Sequence, residues 1–436
     1  MALQFVLGSA GSGKSGYVFR KTVKEAQKNL KKNYYVVVPE QFTMQTQREL
    51  VRLQEKNSIM NIDVVSFQRL AYRIFDELGK TNMAVLEETG KNLVLRKVAE
   101  ERMDDLCVMQ GNMKKMGYIS EVKSLISELT QYNIDPDTLE TFIEEQNMPP
   151  AFSYKLQDIL IMYRGFRSAI SGMYITAEEV LEAFCDMAEE SKLLQDAVLV
   201  FDGFTGFTPI QNNVLYRLMG IVSDIYVTVT IDPAEDIYSY HDMQELFAMS
   251  KKTVASLMKM AEEKHFEVTE PVVLKNPKAD RFREAPVLRF LEQNLFRTRH
   301  HSYEKKDEKE IKEGIEILSL PNPRRELQYA AEEIARLVHT GAYRYRDFAI
   351  ISGAIEEYGS YVPQIMEEFG IPFFLDTTKN ILLHPFLEFV RSLLQVIEDN
   401  FSEEAMFRYL RCGLSQISED EIDPVSYTHL TLPTTS

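Results

Sequence analysis

A glycine-rich stretch between an apolar run and a polar segment constrains the fold of this chain more than any other feature. It consists of Gly8, Ser9, Ala10, Gly11, Ser12, Gly13, Lys14 and Ser15. Residues 3–7 before it predict a strand, and residues 16–30 after it could form a helix. At such a turn, glycines let backbone N–H groups converge on an anion, the lysine adds charge, and the serine hydroxyl can ligate Mg²⁺. The stretch therefore predicts a phosphate-binding loop.

Further apolar runs predict strands of the same sheet. They cover residues 34–38 (YYVVV), 62–66 (IDVVS) and 197–201 (AVLVF), and an alternating run follows at 224–231. Continuous apolar runs of this length are typical of strands buried on both faces of a parallel sheet. A helix is predicted at 68–78, and the mixture of strands and helices indicates the α/β fold class.

Asp202 directly follows one of these predicted strands. In phosphate-loop proteins, an aspartate at the end of a buried strand holds Mg²⁺ opposite the hydroxyl of the loop. A short apolar run ending in aspartate is a weak signal by itself, and the loop strengthens it. We therefore expect Ser15 and Asp202 to hold the metal ion together.

The periodicity of the chain predicts several units. It is helical almost throughout residues 83–196, which indicates an inserted helical subdomain, and a charged run (HHSYEKKDEKEIKEG) then indicates a linker. The last twelve residues are rich in threonine and serine and lack a clear period, so we expect a non-native tail. The predicted units are a phosphate-loop lobe (1–82 plus 197–299), the helical insertion (83–196), the linker (300–314), a second α/β lobe (315–424) and the tail (425–436).

The second lobe is predicted from a new alternation of strand and helix patterns. Strands are expected at 315–320, 347–352 and 373–375, and helices at 325–338 and 385–397. No second phosphate-binding loop occurs in this half.

Composition excludes some functional classes. The net charge is −17, which argues against non-specific adhesion to nucleic acid by the protein as a whole. No apolar run approaches the roughly 20 residues that span a bilayer, so we expect a cytoplasmic protein without membrane association. The three cysteines and seven histidines show no metal-ligand spacing.

Six sequence blocks in order resemble one known family. They are GSAGSGKS, VVVPEQFTMQTQREL, VVSFQRLAYRIF, GKNLVLRKVAEER, VFDGFTGFTPIQ and TIDPAEDIYSYHDMQELF. This order is similar to that of the AddB family, the B subunits of bacterial ATP-dependent helicase/nucleases of the AddAB type, which are related to superfamily 1 helicases. The resemblance covers the chain to about residue 423. It implies a P-loop NTPase fold with a 1A-like lobe, a 1B-like helical insertion and a truncated 2A-like, RecA-like lobe.

The resemblance also implies a function. Family members form heterodimers with the A subunit of the helicase/nuclease and process double-strand DNA ends for recombination, and the B subunit is implicated in recognising a hotspot sequence on single-stranded DNA. We therefore expect ATP, Mg²⁺, the A subunit, single-stranded DNA and duplex DNA ends as ligands and partners. Full-length members are longer and carry a C-terminal nuclease domain with an iron–sulfur cluster. Neither is expected in this chain, which resembles an N-terminal fragment.

Residues at two predicted strand ends correspond to the DNA-contacting motifs Ia and Ib of such helicases. They are Gln41 and Phe42, and Ser66 and Phe67. In these helicases the motifs contact the single-strand backbone and stack bases. The alternative is that both phenylalanines belong to the hydrophobic core, and the sequence leaves the two interpretations open.

Departures from the family of active motors predict weak ATP hydrolysis. An active superfamily 1 motor has Asp-Glu at the Walker B position, where the glutamate activates water, and this chain has Gly203 after Asp202. Neither the upstream glutamine motif nor an arginine after residues 348–352 is present, so no residue is assigned a catalytic role. The alternatives to a subunit of an enzyme complex are a non-catalytic ATP-binding DNA-recognition module and a P-loop phosphotransferase such as a nucleoside kinase.

Overall fold

The structure is a computed structural model. It describes residues 2–54, 60–80, 84–145, 148–171, 173–275, 281–297, 301–303, 308–375, 381 and 384–414. The described chain forms two compact units, Met1–Ile315 and Glu316–Ser436.

The first unit contains all the strands found in the described residues. They are β1 (Ala2–Gly8), β2 (Tyr34–Val37), β3 (Ile62–Val65), β4 (Ala84–Leu86), β5 (Tyr174–Thr176), β6 (Val198–Phe201), β7 (Asp224–Thr230), β8 (Glu267–Val268) and β9 (Val272–Val273). Its helices are α1 (Lys14–Lys28), α2 (Thr43–Leu53), α3 (Phe67–Glu77), α4 (Glu88–Glu101), α5 (Met116–Gln131), α6 (Pro136–Glu145), α7 (Pro150–Ile170), α8 (Glu179–Met187), α9 (Pro209–Leu218), α10 (Ala248–Glu263), α11 (Pro286–Asn294) and α12 (Glu308–Gly314).

Within the described residues, seven strands form one parallel sheet. Their order is β3-β2-β6-β7-β1-β8, and β9 also pairs with β1. Strands β1 and β7 pair over their whole length, from Ala2 opposite Asp224 to Gly8 opposite Thr230. The chain leaves β1, passes over β7 and β6, and enters the sheet again at β2. In open α/β sheets, ligands bind at the carboxyl ends of the strands next to such a change of direction.

The side chains of each central strand alternate between two cores. In β2 and the residue after it, Tyr34, Val36 and Val38 pack on one face, where α1 and α2 lie. Tyr35 and Val37 point to the other face, which α3, α8, α9 and α10 cover. Burial on both faces explains why these strands are continuous apolar runs in the sequence. The prediction of a parallel α/β sheet with the glycine-rich loop after its first strand is confirmed.

The helical part of the insertion has its own core. Helices α4, α5, α6 and α7 contribute most of the buried residues of this cluster, and β4 and the segment between α4 and α5 contribute the rest. Helix α8 lies in the range predicted for the insertion, and its buried face belongs to the core of the large sheet instead, through Val180, Leu181 and Phe184.

Several features of the first unit were absent from the sequence prediction, among them a helix and a small second sheet. Helix α2 connects β2 to β3, where no helix was expected. Parallel neighbouring strands require such a crossover connection. Strands β4 and β5 form a separate two-stranded parallel sheet at the two ends of the helical cluster. Its three-residue strands are too short to produce a periodic pattern.

The second unit is helical in the part that the structure describes. Its helices are α13 (Pro323–His339), α14 (Ile355–Gly359), α15 (Val362–Glu368), α16 (Pro385–Glu398) and α17 (Glu403–Leu410). Helices α13 and α15 share a small core that includes Leu327, Ala331 and Ile365. Of the helices in the described ranges, none combines the length and apolar character needed to cross a membrane.

The strands predicted in the second unit are wrong. Residues 315–320, 348–352 and 373–375 have no strand assignment, and residue 347 ends the short 3₁₀ helix Tyr345–Asp347. Apolar runs become strands only when other strands satisfy their backbone groups and bury their side chains. Here Ile317, Ile351 and Phe374 are at least 90% exposed. The second RecA-like lobe remains a prediction.

The predicted linker and tail are only partly described. Helix α12 lies within the expected linker, and its Gly314 packs close to Val287 of α11. The tail at 425–436 lies outside the described residues.

Candidate nucleotide-binding site

The glycine-rich loop joins β1 to α1, as the sequence predicts. Gly11 and Gly13 have φ values of 79° and 89°, in the left-handed region where glycine carries no side-chain penalty. Gly13 is also the N-cap of α1, so no side chain covers the first turn of the helix. The first N–H groups of a helix lack intrahelical partners, and together with the helix dipole they attract an anion.

The glycines also allow close approach of neighbouring segments. A Cβ atom on Gly8 would lie 2.4 Å from Ser12 Oγ, within the loop itself. A Cβ atom on Gly11 would lie 2.8 Å from Cβ of Arg281, on a segment outside the sequence motifs. Larger side chains at either position would push the loop away from its neighbours.

Lys14 is positioned over the loop. Its Nζ atom donates hydrogen bonds of 2.9 Å to the carbonyl oxygens of Gly8 and Ser9. Burial lowers the pKa of the Lys14 ammonium to about 8, while the carboxylates of Asp202 and Glu292 act in the opposite direction. The charge of Arg281 contributes to this lowering of the pKa. A desolvated ammonium at this position is suited to meet the charge of a phosphate.

Ser15 and Asp202 are in direct contact. Ser15 Oγ donates a hydrogen bond of 3.0 Å to Asp202 Oδ1, and Thr228 Oγ1 donates one of 2.7 Å to the same oxygen. Asp202 is only 7% exposed. Burial raises its pKa, whereas the hydrogen bonds from Thr228 and Ser15 and the charge of Lys14 lower it.

The three groups come from neighbouring positions in the sheet. Ser15 follows β1, Thr228 lies on β7, and Asp202 follows β6. In the sheet, β7 lies between β1 and β6. The sequence motifs did not reveal Thr228, although it is a polar residue within an apolar strand pattern. A hydroxyl and a carboxylate are oxygen donors of the kind that Mg²⁺ prefers, and the remaining positions are usually filled by phosphate oxygens and water. The pair therefore fits a magnesium ion.

Gly203 has a left-handed backbone at the position where an active motor has glutamate. Its φ is +80°, and a Cβ atom there would meet only Pro39 Cδ, at 3.6 Å. Space is therefore available for a side chain, but the backbone conformation disfavours one. The local backbone conformation therefore suits glycine at this position.

The four residues expected to contact DNA have different surroundings. Gln41 and Phe42 lie on the 3₁₀ helix Glu40–Phe42 just after β2, and both are exposed. Ser66 is the N-cap of α3, and its hydroxyl accepts from Arg69 N–H at 3.3 Å. Phe67 is 6% exposed and belongs to the core, as the core interpretation expects, but that interpretation is wrong for Phe42, which is 42% exposed.

Phe67 belongs to a cluster of aromatic rings below a cavity. Its ring centroid lies 5.5 Å from those of Phe201 and Phe204 and 6.1 Å from that of Phe207. A cavity of about 500 Å³ next to this cluster is lined by Ser66, Phe67, Phe204 and several glutamines, among them Gln211. Three strands end in or near this region. Val38 follows β2, Ser66 follows β3, and Phe201 is the last residue of β6.

Comparison with known proteins identifies the family. The family described as "ADDB, N-terminal" matches residues 5–292. The B subunit of the ATP-dependent helicase/deoxyribonuclease of Lachnoclostridium phytofermentans is 40% identical over 97% of this chain, which covers 37% of that relative. The proteins of the same name from Clostridium novyi and Clostridium tetani are 30% and 31% identical over 97% of the chain and 36% of their own length. The chain thus spans about a third of the length of the curated relatives that it matches. On these matches, the chain belongs to the AddB family, whose relatives are named as the B subunits of ATP-dependent helicase/deoxyribonucleases.

Proposed function

We propose that this chain is the nucleotide-binding N-terminal region of the B subunit in a heterodimeric, cytoplasmic helicase/nuclease that processes double-strand DNA ends for recombinational repair. The A subunit of the same enzyme is the proposed partner, and single-stranded DNA and duplex DNA ends are the proposed substrates. The names of the relatives and the match to the AddB family support this role.

The contact between Ser15 and Asp202 is the observation that carries the nucleotide part of the proposal. The two side chains lie on different strand ends and share a hydrogen bond of 3.0 Å next to Lys14 and the turn of residues 8–15. In this arrangement, the backbone N–H groups and Lys14 bind the phosphates, and Ser15 and Asp202 hold Mg²⁺. The ion neutralises phosphate charge when bound. ATP is the proposed nucleotide.

We further propose that this site hydrolyses ATP weakly or not at all. Gly203 provides no carboxylate to orient and deprotonate water, and its left-handed backbone disfavours a glutamate. This observation also supports a second candidate function, a non-catalytic module in which the nucleotide regulates DNA recognition. In both cases no residue of the chain is assigned a catalytic role.

The proposed DNA contacts lie at the carboxyl ends of β2 and β3. Gln41 and Phe42 are exposed there, and Phe42 could stack on a base because 42% of its surface is accessible. Ser66 and Phe67 border the cavity of about 500 Å³, whose lining mixes amide and aromatic side chains with the carboxylates of Glu40 and Glu178. Amide groups can hydrogen-bond to base edges, and aromatic rings can stack on bases.

Nucleotide binding by the Lys14→Ala variant tests the central part of the proposal. Isothermal titration calorimetry with Mg-ATP should detect binding by the parent chain and none by the variant, because the variant lacks the ammonium next to the phosphates. Arg20→Ala, on an exposed position of the same helix, is the matched control and should bind as the parent does. Equal affinity of parent and Lys14→Ala would refute the assignment.

Two further measurements separate the candidate functions. Binding of a single-stranded oligonucleotide that weakens with salt is expected for both DNA-related functions and not for a P-loop phosphotransferase. Steady-state ATP hydrolysis measured with and without the A subunit then separates a component of an enzyme from a non-catalytic module. Hydrolysis that appears only when the A subunit is present and that requires Lys14 of this chain would support the role as a component of an enzyme.

A further inference from the structure

A second cavity lies directly beside the phosphate-binding loop. Its volume is about 340 Å³, and its lining includes Ser9 and Ser12 of the loop, Lys275, and Arg289 and Glu292 of helix α11. Arg289 and Glu292 are three positions apart, so they lie on the same face of α11. Neither α11 nor Lys275 belongs to a sequence motif, and the proposed function uses neither.

The chain segments around α11 are attached to the loop and to its strand. Leu274 N–H donates to the carbonyl of Leu7 at 2.8 Å, and Arg281 N–H donates to the carbonyl of Gly11 at 3.1 Å. Beyond the C-terminal end of α11, Arg297 Nη2 donates to Asp232 Oδ2 at 2.9 Å, and its guanidinium lies over the ring of Phe247. These contacts fix α11 next to the loop from both directions.

The position of the cavity matches the phosphate end of a nucleotide. It extends from Ser9 and Ser12 to Asp232, which lies just beyond β7, the strand that carries Thr228. Because Thr228 binds Asp202, this is the side of the loop where the metal-binding pair lies. Phosphate-binding loops place the β and γ phosphates at this end, next to the lysine.

Electrostatics supports the same position. The charges of Arg281 and Glu292 both affect the pKa of Lys14, so this segment acts electrostatically on the ammonium. Lys275 and Arg289 add two cations to the lining, in a protein whose net charge is −17. Ser12 Oγ is buried and has no hydrogen-bond partner among the described residues, so it is available as a donor. The lining also contains two carboxylates. Glu292 lies on the same face of α11 as Arg289, and Asp232 accepts a hydrogen bond from Arg297.

We propose that Arg289 of α11 contacts the terminal phosphate of a nucleoside triphosphate on the loop, so that the chain binds triphosphates more tightly than diphosphates. This inference rests on the proposed nucleotide site. A guanidinium forms charge-assisted, bidentate hydrogen bonds with phosphate oxygens. A diphosphate lacks the group that would reach the cavity. Arg289 then supplies an arginine for the terminal phosphate, although none is present after residues 348–352.

Calorimetric titration of the full chain with Mg-ATP and Mg-ADP tests the proposal. Arg289→Ala should weaken ATP binding by about tenfold or more, the effect of one lost charge-assisted hydrogen bond, and leave ADP binding unchanged. Arg289→Lys keeps the charge and should recover part of the ATP affinity. Arg283→Ala is the matched control, because its side chain is 59% exposed and pairs with Glu284.

The direction in which each variant changes ATP affinity separates a phosphate contact by Arg289 from a purely structural role of α11. Glu292→Gln removes a negative charge from the cavity and should strengthen ATP binding, whereas damage to α11 would weaken it in both variants. Equal loss of ATP and ADP affinity in Arg289→Ala, or no loss of either, overturns this inference and leaves the nucleotide site in place. Absence of binding of both nucleotides by the parent chain overturns the proposed function and this inference together.

Discussion

Ser15 and Asp202 lie 187 positions apart in the sequence, and their side chains share a hydrogen bond of 3.0 Å. Thr228 donates to the same carboxylate oxygen, so two hydroxyl groups hold one buried acid in place. This relationship depends on the order of the strands, which brings the ends of β1 and β6 to either side of β7. The proposed metal site follows from this arrangement of the sheet.

Asp202→Asn should remove the effect of Mg²⁺ on nucleotide binding. The amide can still accept hydrogen bonds from Ser15 and Thr228, but its lower charge attracts a divalent cation less strongly. We expect ATP affinity in the presence of Mg²⁺ to fall about tenfold, and affinity in chelator to change little. Calorimetry with and without Mg²⁺ measures both. Asp196→Asn, at a side chain that is 78% exposed, should have no effect.

Nucleotide binding should weaken as the pH rises above the pKa of Lys14. Burial lowers this pKa to about 8, so the free protein progressively loses the ammonium charge above that pH. A bound phosphate favours the charged form, so binding at a pH about one unit above the pKa must take up a proton. Calorimetry in buffers of different ionisation enthalpy measures this uptake.

A matched variant isolates the contribution of Lys14 to this pH dependence. Arginine remains charged across the range, so Lys14→Arg should show no proton uptake even where its affinity is lower. A pH dependence that is equal in the parent and in Lys14→Arg would show that another group titrates.

Gly203→Glu should not create an active ATPase. The substitution restores the acid of active motors, but the φ of +80° imposes backbone strain on any residue with a side chain. We expect the free energy of unfolding to fall by about 1–2 kcal/mol and ATP hydrolysis to stay at the parent rate. Gly203→Asn should destabilise less, because asparagine tolerates the left-handed region better. Urea unfolding followed by circular dichroism provides the comparison, and a large gain in hydrolysis by Gly203→Glu would contradict the expectation.

Asp158 should be a strong determinant of stability in the helical insertion. It is completely buried and accepts hydrogen bonds of 2.9, 2.7 and 2.8 Å from the N–H groups of Cys107, Val108 and Met109. Asp158→Ala should lower the free energy of unfolding by about 2 kcal/mol or more, because these N–H groups lose their acceptor. Asp105→Ala, which removes an exposed ion pair with Arg102, should cost less than about 0.5 kcal/mol. Similar losses in both variants would show that the three bonds contribute little.

The sequence predicted the centre of the first unit because its signals are local. Residues 8–15 encode their own turn through glycine, and strands such as β2 and β6 are apolar at every position because both faces of the sheet are covered. The pairing of Asp202 with Ser15 required one further step, the rule that phosphate-loop proteins place an aspartate at the end of a buried strand opposite the loop hydroxyl. The order of six sequence blocks indicated the AddB family, and the match to residues 5–292 confirms the family.

Other features depend on tertiary context that local patterns do not contain. The segments at 315–320 and 348–352 have the composition of strands, yet Ile317 and Ile351 are exposed and no strand forms there. Phe67 follows a strand end as Phe42 does, and packing against other aromatic rings, such as Phe201, distinguishes the buried ring from the exposed one. The position of Arg289 beside the loop depends on contacts far apart in sequence, so no short motif reveals it.

A crystal structure of this chain with Mg²⁺ and a non-hydrolysable ATP analogue is the decisive test of the nucleotide site. We expect the phosphates on the N–H groups of the turn at 8–15, with Mg²⁺ bound to Ser15 Oγ and Asp202 next to it. A nucleotide bound elsewhere, or a metal ion far from both Ser15 and Asp202, would contradict the proposed site.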